Sequence, residues 1–329
     1  MKTIAALSTA VLAAFVIFVG SAMAQGKLEK TNVVVGLPVT TSTLLPIYLA
    51  RNEGFFKQAG LDVKFVTFRG GTDMVRAMIA GSVDVGLGSL AVVTVGIQAD
   101  QPIKAFYGGF NMTLFDWYAV KGIDKLEDAK GKRFGITRFG TATDFLTRYA
   151  LTTKGLDPAK DVRIIQGGGS QERLAAMDAG QIDVNIFATP EKFVAADAGY
   201  KLIFRQQDIA PDFPFHMFFA SEDFIKHNPN TVKAFLSAFI KAVRVAKADR
   251  ERSIKVLVDE VKLEPKYAAR AYDDFIADIY EDGRLPSDTG MKAFWDMGIA
   301  SGDYTEAWPK ERYLVPTFID TYNEWKPAQ

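Results

Sequence analysis

The sequence contains no cysteine among its 329 residues. Disulfide bonds and thiol chemistry are therefore excluded, so the folded chain must draw its stability from the size of its hydrophobic core. We also expect no lipid anchor, because such an anchor needs a cysteine directly after a signal sequence. Hydrophobic residues make up 48% of the chain, which is enough for two domains that each have a core.

Histidine is scarce, and only His216 and His227 are present. The chain has no Gly-x-Ser-x-Gly nucleophile motif, no His-Glu-x-x-His zinc motif and no Gly-rich stretch ending in the Lys-Ser/Thr pair of a phosphate-binding loop. Because nothing here assembles a catalytic centre, we predict that the protein is not an enzyme and uses no cofactor or metal ion. His216 is expected to be packed or hydrogen-bonded.

The chain has no excess of either charge. Lys plus Arg and Asp plus Glu number 39 each, so the formal net charge is zero. Proteins that bind nucleic acids normally carry a basic excess, and we therefore predict that nucleic acid is not a partner. After the N-terminal segment, no stretch of the sequence is apolar enough to suggest a membrane span.

The N-terminal segment has the pattern of a signal peptide. Lys2 precedes an apolar run over residues 4–20, and Ala-Met-Ala at residues 22–24 fits a cleavage site. The alternative is an uncleaved anchor, because the run is nearly long enough to cross a bilayer. We predict a cleaved signal peptide over residues 1–24 and a location in a Gram-negative periplasm.

One stretch of the sequence occurs twice. Residues 70–85 and 169–184 match at an offset of 99 positions, with Gly81 opposite Gly180 and Asp84 opposite Asp183. In both copies a Gly-rich turn opens a helix, a Gly suited to positive φ ends it, and a short apolar strand follows. The duplication predicts two similar α/β lobes. The two aspartates are expected to anchor turns.

Strand and helix patterns alternate through the first two thirds of the chain, which favours mostly parallel sheets. The predicted strands are residues 32–37, 61–68, 83–87, 103–108, 115–120, 131–136, 162–166 and 182–187, with 213–221 returning to the first lobe. The later part is helical, with predicted helices at 231–249, 252–261, 265–280, 288–300 and a last short one within 313–325.

Both predicted lobes place small and hydroxyl residues where helices begin after strands. In open α/β sheets ligands bind at this edge, where the first backbone N–H groups of helices are free to hold an anion. The candidates are Thr41, Ser42, Thr43, Gly70, Gly71 and Ser89 in the first lobe, and Gly140, Thr141, Ala142, Thr143, Gly168, Gly169 and Thr189 in the second. The alternative for each serine or threonine is simple helix capping.

A charged residue and several aromatic residues accompany these turns. Arg138 can reach an anionic group, although a surface salt bridge is equally compatible with its position. Aromatic side chains near the strand ends would suit a ligand with an apolar or planar body, with ordinary core packing as the alternative. These side chains are Phe110, Trp117, Phe139, Phe187, Phe213, Phe215 and His216.

Five short motifs, in this order, resemble a known family. They are Pro46-Ile47-Tyr48-x-Ala50, Glu53-Gly54-Phe55-Phe56, Gly60-Leu61-x-Val63, Gly81-x-x-Asp84-Val85-Gly86 and Gly131-Lys132-x-Phe134-Gly135. The resemblance is to the periplasmic substrate-binding proteins of ABC importers of the sulfonate, nitrate and taurine type. That superfamily also includes proteins of thiamine pyrimidine synthesis. Its enzymes use a cysteine-rich motif and a catalytic histidine, and this chain has no cysteine.

The resemblance implies a type II periplasmic binding fold, in which two α/β lobes joined by two crossover strands close on a ligand. Lobe 1 would comprise residues 28–113 and 218–329, and lobe 2 residues 114–217. Transferred to this chain, the family's ligand contacts also include Leu90, Ser170 and Pro190.

The implied function is capture of a small organic anion, a sulfonate or carboxylate, by a monomer that delivers it to an ABC permease with its ATPase. The alternatives are a periplasmic ligand sensor that presents the solute to a membrane receptor, and an exported enzyme on the same scaffold.

Overall fold

A computed structural model of the chain describes residues 26–328 except 39, 69, 211 and 301. The predicted signal peptide lies outside the described residues. Within them, no helix combines the length and the apolar character that a membrane crossing requires.

The first sheet is built from the N-terminal part of the chain and one returning strand. Its strands are β1 (Asn32–Leu37), β2 (Asp62–Thr67), β3 (Val85–Gly88), β4 (Ile103–Phe110) and β10 (His216–Ser221), in the order β2-β1-β3-β10-β4. β1 pairs in parallel with β2 and β3, whereas β10 is antiparallel to β3 and β4.

The second sheet repeats this arrangement. Its strands are β5 (Asp116–Ala119), β6 (Arg133–Ile136), β7 (Arg163–Gln166), β8 (Val184–Phe187) and β9 (Lys201–Arg205), in the order β7-β6-β8-β5-β9. β5 is the reversed strand, antiparallel to β8 and β9. The predicted α/β architecture is confirmed: in each sheet four strands run one way and the strand that crosses from the other sheet makes it mixed.

Helices surround the sheets. They are α1 (Leu45–Asn52), α2 (Phe55–Gln58), α3 (Gly71–Ile79), α4 (Leu90–Gln98), α5 (Ala142–Thr153), α6 (Ser170–Asp178), α7 (Glu191–Asp197), α8 (Glu222–His227), α9 (Pro229–Ala248), α10 (Arg250–Val261), α11 (Pro265–Phe275), α12 (Asp288–Ala300), α13 (Lys310–Tyr313), α14 (Thr317–Asp320) and α15 (Tyr322–Trp325). Short 3-10 turns occupy Ser42–Leu44, Leu126–Ala129, Gln206–Asp208 and Ile276–Asp278.

Several predicted boundaries were wrong for local reasons. Between the first two predicted strands the chain forms two helices, because Gly54, with φ of 68°, separates α1 from α2. The predicted helix over 265–280 ends at Phe275. The single helix expected within 313–325 is instead α13 to α15, with Pro316 preceding α14.

The duplicated stretch repeats at the level of single hydrogen bonds. Asp84 Oδ2 accepts from the backbone N–H of Val34 at 2.9 Å, and Asp183 Oδ2 accepts from that of Arg133 at 2.9 Å. The glycines that end the two helices have φ of 74° at Gly81 and 67° at Gly180. The prediction that the aspartates anchor turns is confirmed, because each ties the turn after its helix to a neighbouring strand.

The main core joins the first sheet to α9. Phe218 of β10 is fully buried and meets Phe235 and Phe239 of α9 edge-on, at ring-centroid distances of 5.3 and 5.1 Å. The apolar face of α9 is buried throughout. It consists of Val232, Phe235, Leu236, Phe239, Ile240 and Val243.

The C-terminal region contacts elements of both sheets. Phe294 of α12 stacks on Phe145 of α5 at 6.3 Å, and the hydroxyl of Tyr304 hydrogen-bonds that of Thr94 in α4. Residues assigned by sequence to lobe 1 therefore also pack against helices of the second sheet. The lobe boundaries themselves stay a prediction.

Candidate functional site

A cavity of about 470 Å³ lies between the two sheets. Its wall is formed by strand ends and helix starts from both sheets, together with a third segment, residues 260–262 at the end of α10. The lining residues are Pro38, Thr40, Thr41, Thr67, Phe68, Gly70, Gly71, Gly88, Ser89, Val92, Phe115, Thr137, Thr141, Ala142, Thr143, Gly169, Ser170, Gln171, Glu172, Arg173, Ala188, Glu191, Phe215, His216, Glu260, Val261 and Lys262.

Four of the described α-helices, two from each sheet, begin directly after a residue that lines this wall. The residues that precede them are Gly70 before α3, Ser89 before α4, Thr141 before α5 and Gly169 before α6, and none provides a side-chain cap. For Ser89 and Thr141 the capping alternative is therefore wrong. Because the first N–H groups of a helix have no partner within it, these four starts present donors and positive dipole ends to one cavity.

The hydroxyls beside α5 hold its loop in place. Thr141 Oγ1 donates to the carbonyl of Arg138 at 2.7 Å, and Thr143 Oγ1 accepts from the N–H of Thr137 at 2.9 Å. The two hydroxyls lie 3.0 Å apart. They therefore shape the wall of the cavity as well as line it.

Arg173 is the charged residue at the base of the second-sheet wall, and only 1% of it is exposed. Its Nε donates to Asn185 Oδ1 at 2.9 Å, one terminal nitrogen donates to the Gly168 carbonyl at 2.6 Å, and the other to the Ile186 carbonyl at 2.9 Å. Thr137 Oγ1 accepts a further bond at 2.9 Å. No carboxylate of a described residue lies within ion-pair distance of this guanidinium.

Arg173 keeps its positive charge although it is buried. Burial lowers its pKa to about 10, so the guanidinium stays protonated at neutral pH. Arg173 was not among the predicted site residues, although the repeat contains a signal: at the offset of 99, Arg173 occupies the position of Met74, which is buried in α3. A charged residue at a position that is apolar and buried in the other copy of the helix indicates a functional role.

Glu191, the first residue of α7, brings a buried carboxyl to the same cavity. Burial raises its pKa to about 7, against the opposing effect of the Arg173 charge. Glu191 is therefore partly protonated at neutral pH. Glu191 was not among the predicted site residues, although its neighbour Pro190 was, because no local sequence pattern distinguishes it.

His216 lines the cavity as an uncharged aromatic group. Burial lowers its pKa to about 3, so the ring is neutral at physiological pH. Its ring lies 4.1 Å from that of Phe215 and 5.9 Å from that of Phe110. Within the described part of the chain neither ring nitrogen has a hydrogen-bond partner, so His216 is packed, as one predicted alternative had it, but not hydrogen-bonded.

Of the predicted site residues, Thr41, Gly70, Gly71, Ser89, Thr141, Ala142, Thr143, Gly169, Ser170 and His216 line the cavity. Ser42, Thr43, Leu90, Arg138, Gly140, Gly168, Thr189 and Pro190 do not. Several of the latter join elements of the two sheets instead. Ser42 Oγ donates to the Thr189 carbonyl at 3.0 Å, Thr189 Oγ1 donates to Asp274, and Arg138 forms an ion pair with Asp73 at 3.3 Å.

Few of the predicted aromatic residues reach the cavity. Phe215 does, and it packs at 5.4 Å against Phe115, which lies on the other crossover; Phe68 is a third aromatic lining residue. Phe110, Trp117, Phe187 and Phe213 are core residues. Phe139 is exposed, with the Arg148 guanidinium 5.9 Å from its ring centre.

Comparison with known proteins agrees with this architecture. The putative binding protein YtlA of Bacillus subtilis (strain 168) is 26% identical over 281 residues, covering 80% of this chain and 78% of its own. The 4-amino-5-hydroxymethyl-2-methylpyrimidine phosphate synthase THI13 of Saccharomyces cerevisiae is 25% identical over 262 residues, covering 72% and 74%.

Among solved structures, the alkanesulfonate-binding protein SsuA from Xanthomonas axonopodis pv. citri bound to MOPS superposes with a TM-score of 0.72. The two are 19% identical, and the match covers 84% of this chain and 95% of that one. The shared fold confirms the predicted periplasmic binding architecture. Residues 41–253, well over half of the sequence, match the family described as NMT1/THI5 like. The chain belongs to the NMT1/THI5-like family.

Proposed function

We propose that the protein is the substrate-binding component of an ABC import system. It captures a small organic anion, a sulfonate or a carboxylate, in the cavity between its two sheets and delivers it to a permease driven by an ATPase. The signal-peptide pattern at residues 1–24 supports a periplasmic place of action. The fold shared with an alkanesulfonate-binding protein supports the role.

The observation that carries the proposal is the buried Arg173 in the cavity wall. A buried cation without an ion-pair contact is unfavourable, and an anionic ligand compensates it. The helix starts of α3, α4, α5 and α6 add backbone donors around the same space. Such donors are needed because removing an anion from water is costly unless several groups replace its hydration.

Thermal unfolding with a panel of ligands tests the proposal. Sulfonates, aliphatic and aromatic carboxylates, nitrate and neutral pyrimidines are added to protein freed of bound solutes by unfolding and refolding. A ligand at a hundred times its dissociation constant stabilises the native state by about 2.7 kcal/mol, which gives a clear shift of the midpoint. Stabilisation by neutral or cationic compounds alone would contradict the proposal.

The affinity for the anion is expected to decrease as the pH rises through about 7. Below that value Glu191 is protonated and neutral; above it the carboxylate repels the ligand and offsets the charge of Arg173. One charge about 10 Å away at an effective dielectric constant near 20 corresponds to roughly a tenfold change in affinity. The pKa values of Arg173 and His216, about 10 and about 3, keep both groups out of this range.

Calorimetric titrations between pH 6 and 8.5 measure this dependence, with a sulfonate probe whose own charge is constant. Glu191→Gln is the matched control, because it keeps the size of the side chain and cannot ionise. The variant is expected to bind with the same affinity across the range. An equally steep decrease in the variant would show that another group is responsible.

Synthase activity is the second candidate function, since one relative is a pyrimidine phosphate synthase. Mass spectrometry of a stabilising ligand after prolonged incubation with the protein distinguishes the two. A binding protein returns the compound unchanged, whereas a synthase alters it.

A further inference from the structure

Lys262 combines an unusual backbone conformation with a place in the cavity wall. It follows α10 with φ 61° and ψ 35°, in the left-handed region that disfavours side chains other than glycine. Among the described residues only Asp100 shares a positive φ without being glycine, and Asp100 does not line the cavity. Glycine would fit this helix end without strain. The turn therefore does not explain why the residue at this position is lysine.

Two carboxylates of the cavity wall contact groups other than Lys262. Glu260 forms an ion pair with Arg51 and accepts from Asn52 Nδ2 at 2.9 Å. Glu172 accepts from the N–H of Gly169 at 2.7 Å at the start of α6. Within the described part of the chain, no carboxylate lies within 4.0 Å of the Lys262 ammonium group.

Two cations of the wall thus have no ion-pair partner among the described residues, and they belong to different segments. Arg173 lies in α6, below the helix starts of the second sheet, whereas exposed Lys262 follows α10. A volume of about 470 Å³ exceeds the need of one inorganic anion and accommodates an organic body with a group at each end.

We propose that Lys262 binds a second acidic group of the ligand, so that the protein selects organic dianions over monoanions of the same size. The inference rests on the proposed function and deepens it. One acidic group lies among the helix starts near Arg173, and the other meets the ammonium group of Lys262. A rim lysine that only attracts anions through solvent would favour a dianion weakly, and salt would screen that preference, whereas a direct contact in the cavity wall gives a preference that salt screens much less.

Matched probes measure this selectivity. Propane-1-sulfonate is compared with 3-sulfopropanoate, and benzenesulfonate with 4-sulfobenzoate, by calorimetry at pH 8 and equal ionic strength. The native protein is expected to bind the dianion of at least one pair about tenfold more tightly, the effect of one favourable charge contact at a partly desolvated site. Lys262→Gln is expected to remove this preference and to leave the affinity for the monoanion within about twofold. Lys262→Arg is expected to retain it.

Lys262→Gly tests whether a loss of dianion preference comes from a folding defect. Glycine adopts the left-handed conformation without strain, so this variant is expected to unfold at the same or a higher temperature while losing the preference. An equal decrease for both members of each pair, or no preference in the native protein, would overturn the inference. Failure of the proposed function would give a different result: no anion would bind to the native protein. That result would also refute the role of Lys262.

Discussion

Replacing Arg173 with methionine is expected to weaken anion binding by about 2–5 kcal/mol, roughly thirtyfold or more. The change removes a buried positive charge from the wall of the cavity and leaves the helix starts as the remaining anion-binding groups. Methionine is the natural choice, because Met74 fills the equivalent position in the other copy of the repeat. Isothermal titration with the best-stabilising anion of the panel measures the effect.

The same variant is expected to be less stable. The carbonyls of Gly168 and Ile186 and the side-chain oxygen of Asn185 lose their donor, and each unsatisfied buried group costs about 1–3 kcal/mol. Arg173→Lys separates the contribution of the charge to anion affinity from that of the hydrogen bonds, because lysine keeps the charge but has fewer donors. We expect its affinity to lie between those of the native protein and the methionine variant.

A matched control lies on the other copy of the repeat. Arg76 of α3 is exposed, and among the described residues its side chain pairs only with Asp73, three positions earlier. Arg76→Met is therefore expected to leave anion affinity unchanged and to alter stability by less than about 0.5 kcal/mol. If Arg173→Met folds and binds anions with native affinity, Arg173 is not the group that determines anion binding.

The fold was predictable because its determinants are local and repeated. Glycines that require positive φ, such as Gly81 and Gly180, mark the ends of duplicated helices, and the apolar strands follow at fixed distances. β9 was missed because Lys201–Arg205 forms an edge strand with polar ends and partial burial, which gives a weak pattern. The reversed direction of β5 and β10 depends on how the chain crosses between the sheets, which no local pattern records.

The cavity was predictable only where the backbone determines it. Helix starts at the ends of parallel strands follow from topology, so Gly70, Ser89, Thr141 and Gly169 were identified. The segment over residues 260–262 was not, because its place depends on how α10 packs after a long helical region. Ser42 and Thr189 show the converse: their hydroxyls suit a ligand, but the structure uses them in contacts between the two sheets.

Replacing Phe218 with alanine is expected to lower the free energy of unfolding by about 3–5 kcal/mol. Phe218 is fully buried in β10, which lies between β3 and β4, and it contacts the α9 rings of Phe235 and Phe239. The substitution leaves a cavity between the sheet and its longest described helix. Urea unfolding followed by circular dichroism measures the loss.

Phe139→Ala is the matched control for the same chemical change. Phe139 is 46% exposed and lies outside the cavity lining, so its removal is expected to cost less than about 1 kcal/mol. Equal losses in the two variants would contradict the assignment of the core to the interface of β10 and α9. A large loss of unfolding free energy in Phe218→Ala alone would instead show that packing of β10, the strand that returns from the second sheet, stabilises the first sheet. Because β10 begins at His216 in the cavity wall, that strand connects the core of the first sheet directly to the ligand-binding space.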